Sequence, residues 1–122
     1  MGKLLGELEE KIMNILWEKG ELKPAEVQSL LASDLAYTTV MTIMQRLAEK
    51  GFLSRRKQKS TYFYTANISK TNYVNTNLGA MLNSIVNSYG QLAISRFVDT
   101  VKTDPHNLDM LRKYLDEHAD EE

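Results

Sequence analysis

After Gly51 the hydrophobic repeat of this chain changes period, and that change constrains the fold more than any other feature. Up to Lys50 the apolar residues recur at helical spacing; beyond it they alternate. Leu8, Ile12, Ile15 and Leu16, with Trp17 beside them as a core residue, predict a helix over 7–19. It stops at Glu18-Lys19-Gly20, where a basic last turn precedes a glycine free to turn left-handed. Leu22 and Lys23 form an extended link, and Pro24 suits the first turn of a second helix with Val27, Leu30 and Leu31 inward. Ser33-Asp34 marks a turn, and a third helix runs from near Tyr37 to Lys50 with Val40, Ile43, Met44 and Leu47 buried. It ends on the same signal as the first, Glu49-Lys50-Gly51. Phe52–Arg56 and Thr61–Thr65 then read as two strands around the polar turn Lys57-Gln58-Lys59-Ser60. Three helices with a tight second link, followed by a hairpin, make a winged helix–turn–helix over residues 1–68.

The rest is helical. Ser69 caps a helix expected to reach Ser88, with Leu78, Met81, Leu82, Ile85, Val86 and Tyr89 on a broad apolar face. Gly90 breaks it; residues 91–101 follow, with Ile94, Phe97, Val98 and Val101 on one side. Asp104-Pro105 opens a last helix lined by Leu108, Leu111 and Leu115, and the acidic end from Asp116 to Glu122 is expected to fray. A unit of about fifty residues buries too small a core to stand comfortably alone. The predicted fold class is therefore mainly α with a small β-hairpin: a winged domain, 1–68, plus a C-terminal helical dimerisation region, 69–122. The homodimer contact is expected to use Leu78, Leu82, Ile85, Tyr89, Phe97, Leu108, Leu111 and Leu115.

A net charge of −1 argues, by itself, against a nucleic-acid partner. Its distribution argues the other way. Residues 36–65 carry six cations, Arg46, Lys50, Arg55, Arg56, Lys57 and Lys59, against one acid, Glu49. Residues 66–122 carry five cations against eight acids. A basic centre suits a polyanion, and an acidic tail keeps the C-terminal region away from it.

The third helix breaks local propensity, since Thr38, Thr39, Val40, Thr42 and Ile43 are all β-branched. Such departures concentrate at functional sites. With Val40, Met44 and Leu47 inward, Thr38, Thr42 and Gln45 point out, flanked by Thr39, Met41 and Arg46. Short hydroxyls let the backbone approach DNA; threonine can bond phosphate or meet a thymine methyl, glutamine suits adenine, and arginine suits guanine or phosphate. In the hairpin, Arg55, Lys57 and Lys59 are candidate phosphate contacts, with Arg56 on the opposite strand face from Arg55 and Lys57. Tyr62 and Tyr64 share a strand face and read as core aromatics. The expected partner is a double-stranded DNA operator, read by a dimer presenting two third helices to successive major grooves.

No catalytic set, cofactor motif or glycine-rich phosphate loop occurs, so an enzyme is not expected. His106 and His118 read as surface histidines, and no metal or cofactor is assigned. The absence of cysteine removes disulfides and thiolate sites. With no apolar run near the ~18 residues of a membrane helix and no signal peptide, the expected location is cytoplasmic.

The segments Leu8-Glu9…Ile12-Met13-Asn14-Ile15-Leu16-Trp17, Leu35-Ala36-Tyr37-Thr38-Thr39-Val40-Met41-Thr42, Gln45-Arg46-Leu47…Lys50-Gly51-Phe52-Leu53 and Tyr62-Phe63-Tyr64 resemble the penicillinase repressor family, the BlaI/MecI/CopY type of bacterial transcriptional repressor. The resemblance implies an operator-binding winged helix, with DNA contacts from Thr38, Thr39, Thr42 and Arg46 and from Lys57 or Lys59, and dimerisation through the C-terminal helices. β-Lactam-responsive members are cut by a sensor protease at an Asn-Phe bond. Here the matching pair is Arg96-Phe97, so the asparagine is replaced. Copper-responsive members use a cysteine cluster, which this chain lacks. The alternatives are a winged helix used for protein–protein assembly and a ligand-gated regulator.

Overall fold

The computed structural model describes residues 4–119. The chain divides into two compact units, up to Ala80 and from Met81 onward. The first holds α1 (Glu7–Lys19), α2 (Pro24–Leu30), α3 (Tyr37–Glu49), an antiparallel hairpin of β1 (Leu53–Gln58) and β2 (Thr61–Ala66), α4 (Lys70–Tyr73) and a π-helical turn (Val74–Leu78). α5 (Gly79–Tyr89) leads into the second unit, which continues with α6 (Gln91–Val101) and α7 (Pro105–Glu117). Among the described residues no helix is long and apolar enough to cross a membrane.

Local signals set the element ends. Gly20 and Gly51 both take positive φ, +88° and +90°, as the two Glu-Lys-Gly stops require. After α3 the amide of Phe52 bonds the Leu47 carbonyl and that of Gly51 bonds Ala48, which is the Schellman closure. Phe52 and Leu47 are both buried there. Glu9 accepts from the Gly6 amide at 2.9 Å and Glu26 from the Lys23 amide at 2.9 Å, each satisfying a free donor at a helix start. Ser69 and Asp104 cap as expected, accepting from Asn72 and His106. At the C-terminus Asp116 and Glu117 are helical instead of frayed, while Asp120, Glu121 and Glu122 lie outside the described residues.

The core of the first unit joins Ile12, Met13 and Leu16 of α1, Val27 of α2, Leu31 just after it, Val40, Met44 and Leu47 of α3, and Phe52, Leu53 and Tyr64 of the hairpin. Full burial of each such side chain contributes about 1.5–3 kcal/mol. Leu30 was expected inward but is 48% exposed. Pro24, Val27 and Leu31 define the inward direction of α2, and Leu30 lies about 100° around the helix from its centre.

Two long-range features have no local signal. Leu22 and Tyr64 exchange backbone bonds of 3.0 and 2.9 Å, so the α1–α2 link pairs with the free edge of β2. Tyr73 of α4 is buried against Trp17 and Phe52, at ring separations of 5.9 and 6.0 Å, and its hydroxyl accepts from the Leu5 amide. Trp17 donates its indole N–H to the Ile68 carbonyl at 2.8 Å. These contacts tie α4 to the winged core, and the compact unit extends to Ala80, past the boundary at 68 read from the sequence.

The helix expected from Ser69 to Ser88 is interrupted by the π turn. The Thr76 hydroxyl donates to the Asn72 carbonyl at 2.6 Å alongside it. The Gly79 amide then reaches back to the Val74 carbonyl, and a Cβ at Gly79 would meet that oxygen at 3.3 Å. Glycine accommodates the close approach.

Candidate nucleic-acid interface

α3 sorts its residues cleanly. Val40, Met44 and Leu47 are fully buried, and Ile43, expected with them, is only half-buried at the edge of the core; Thr38, Thr39, Thr42 and Arg46 are exposed and Met41 and Gln45 are half-buried at the margin. Arg46 makes no ion pair among the described residues. The Thr42 hydroxyl donates to the Thr38 carbonyl at 2.8 Å. Its proton is therefore spent within the helix, and outward it offers a methyl group and oxygen lone pairs. That combination can meet a thymine methyl or accept from an exocyclic amine, but cannot donate to phosphate without breaking the internal bond.

The hairpin sorts its cations by strand face. Arg56 is tied down: Nε and NH2 meet the two carboxylate oxygens of Glu21 at 2.9 and 2.7 Å, NH1 bonds Gln58, and the guanidinium covers the Phe63 ring. The bond to Arg56 holds the Glu21 carboxyl below its ordinary range and raises the Arg56 pKa in return. On the other face Arg55 sits 4.4 Å from the Tyr62 ring centroid and Lys57 5.6 Å from the same centroid. The Tyr64 phenol beside it, with a smaller contribution from Glu49, raises the Arg55 pKa. Neither Arg55, Lys57 nor Lys59 has an ion-pair partner among the described residues.

The turn expected over Lys57-Gln58-Lys59-Ser60 is shorter, because Lys57 and Gln58 pair with Tyr62 and Thr61 and extend β1; Lys59 in the remaining two-residue turn has φ of 58°, the only non-glycine positive φ among the described residues. Two-residue hairpin turns favour positive φ, normally supplied by glycine, asparagine or aspartate. A lysine there costs roughly 1–2 kcal/mol, and strain of this kind gathers at functional positions. Lys59→Gly is expected to raise stability by about 1 kcal/mol in urea unfolding. The same variant should lose duplex affinity, with the log–log salt slope falling by roughly 0.9. Equal duplex affinity in both proteins would remove Lys59 from the interface.

Between α3, the start of α2 and β2 lies a cleft of about 450 Å³, lined by Lys23, Tyr37, Met41, Gln45, Thr61 and Tyr62 among others, with no carboxylate in its wall. Lys23 and Tyr37 were not among the expected interface residues, because only the packing of α2 and β2 on α3 brings them beside Gln45.

The residues expected at a dimer contact are left largely open to solvent. Leu82, Ile85, Tyr89, Phe97 and Leu115 are exposed, Leu78, Leu108 and Leu111 half-buried, and no residue of α5, α6 or α7 is buried. Arg96 and Phe97 lie within α6, so a protease could present that bond in extended form only after local unwinding. Among the described residues no cluster of three side chains able to hold a metal ion occurs.

Three helices, a hairpin wing and a cation-bearing third helix define a winged helix–turn–helix protein of the DNA-binding, transcription-regulating class. The penicillinase repressor family profile matches residues 5–117, and the chain belongs to that family of transcriptional repressors. It is 33% identical to the transcriptional regulator BlaI of Mycobacterium tuberculosis over 126 aligned residues, covering 96% of this chain and 88% of that one. The solution structure of the DNA-binding domain of the repressor BlaI superimposes with a TM-score of 0.52 at 28% identity, over 60% of this chain and 94% of that one. Monomeric Bacillus licheniformis BlaI, solved in complex with the blaP half-operator, gives a TM-score of 0.50 at 28% identity with the same coverage.

Proposed function

We propose that this repressor acts in the cytoplasm as a homodimer on a pseudo-palindromic operator. α3 lies in the major groove, with Thr38, Thr39, Thr42, Gln45 and Arg46 at base edges and flanking phosphates. Arg55, Lys57 and Lys59 hold the sugar–phosphate backbone from the wing, and α5 to α7 join the two copies. One observation carries this reading: the face of α3 opposite its buried stripe is exposed, and Arg55, Lys57 and Lys59 of the hairpin beside it make no ion pair among the described residues. A relative solved in complex with a half-operator supports operator DNA as the partner. The open apolar residues of α5 to α7 support the dimer, since exposed surfaces of this kind mark interaction sites. Two-fold symmetry then sets half-sites roughly 34 Å apart, one helical turn or a multiple of it. The Thr42 geometry favours accepting base contacts over phosphate contacts at that position.

Selection from a random duplex pool, followed by footprinting at several salt concentrations, tests the proposal. An enriched inverted repeat with a steep salt dependence is the expected result. Enrichment of no sequence, with binding insensitive to salt, would favour a protein-assembly role instead.

A further inference from the structure

The two faces of the hairpin carry the same pairing with opposite electrostatic outcomes. Arg56 covers Phe63 at 4.6 Å but is neutralised by Glu21. Arg55 and Lys57 share the Tyr62 ring at 4.4 and 5.6 Å, and neither makes an ion pair among the described residues, Glu49 acting on Arg55 only from beyond ion-pair distance. Tyr62 is the cross-strand partner of Lys57, and Arg55 pairs with Tyr64, so the ring stands directly opposite one cation and diagonal to the other. Both are neighbours within side-chain reach across a strand pair. An aromatic ring restrains a cation through its quadrupole without cancelling the charge, as a carboxylate would. Tyr62 also lines the cleft beside α3, together with Gln45 and Thr61. The ring thus links the reading helix and the wing cations.

Resting on the function proposed above, we infer that Tyr62 is the positioning residue of the wing: its ring pre-orders Arg55 and Lys57 for the DNA backbone while leaving both charges available to phosphate. Pre-ordering lowers the entropy lost when long side chains are immobilised on binding. It changes affinity without changing how many phosphates are neutralised.

That separation supplies the test, made on the full chain with a mixed-sequence duplex. Tyr62→Leu keeps an apolar side chain and removes the ring. Its affinity should fall about fivefold with an unchanged salt slope. Tyr62→Phe keeps the ring and should bind as the parent does. Arg55→Ala/Lys57→Ala should lower the slope by roughly 1.8, and adding Tyr62→Leu to that background should cost nothing further. A full fivefold loss in that background would overturn the inference, as would equal losses in the Phe and Leu variants. Thermal melts of each protein separate hairpin unfolding from lost positioning. If the Leu variant melts early, the Phe variant and the Arg55/Lys57 background still decide. A parent protein with no salt-dependent binding would instead refute the proposed function itself.

Discussion

Changing Thr42 and Arg46 together to alanine is expected to lower affinity for the selected operator by about a hundredfold while leaving the fold intact. Each good side-chain contact to a base edge discriminates by about 1–3 kcal/mol, and two such contacts give that order of loss. Both side chains are exposed and contribute nothing to the buried stripe of Val40, Met44 and Leu47. Alanine is the better helix former at both positions, so the melting temperature should hold or rise slightly. The signature lies in the contrast between duplexes. Affinity for a mixed-sequence duplex should fall far less, because the cations at Arg55, Lys57 and Lys59 remain. Competition binding against both duplexes reads this directly. Undiminished operator affinity in the well-folded double variant would mean that α3 does not read the groove.

The second large effect concerns assembly. Leu82→Asp with Ile85→Asp places two charges on an apolar helix face that is open in the single chain. Burying either carboxylate in a subunit contact carries a heavy desolvation cost, so the dimer should dissociate into monomers whose winged domain stays folded. The winged core contains neither residue and should keep its own melt. Linking two half-site readers raises overall binding by 10²–10⁴, and the variant should lose a factor of about that size on the full inverted repeat. Binding to a single half-site should be unchanged. Sedimentation and half-site titration are the deciding measurements; a variant that stayed dimeric would show that subunits join elsewhere.

Several parts of this molecule were readable residue by residue. The bounds of α1, the two Glu-Lys-Gly stops, the caps at Ser69 and Asp104 and the buried stripe of α3 all follow from interactions within a few residues. The hairpin and the separation of Arg56 from Arg55 and Lys57 follow from period-two alternation alone. The failures share a physical type. Leu30 was misjudged because a seven-residue helix offers too few positions to define its inward direction. The π turn is one shifted register, with the Gly79 amide reaching back five residues to the Val74 carbonyl, and nothing in propensity announces where such a shift falls.

Local chemistry along the chain was enough to set the order of helices, the hairpin, the polar outer face of α3 and the charge placed beside it. Which cations stay available was settled by packing across long sequence separations. Glu21 reaches Arg56, Tyr62 gathers Arg55 and Lys57, and Tyr73 draws α4 onto Trp17 and Phe52. Short-range order is encoded by steric and hydrogen-bonding preferences that each residue carries anywhere. Charge pairing between distant residues exists only once the hydrophobic core has brought their elements together.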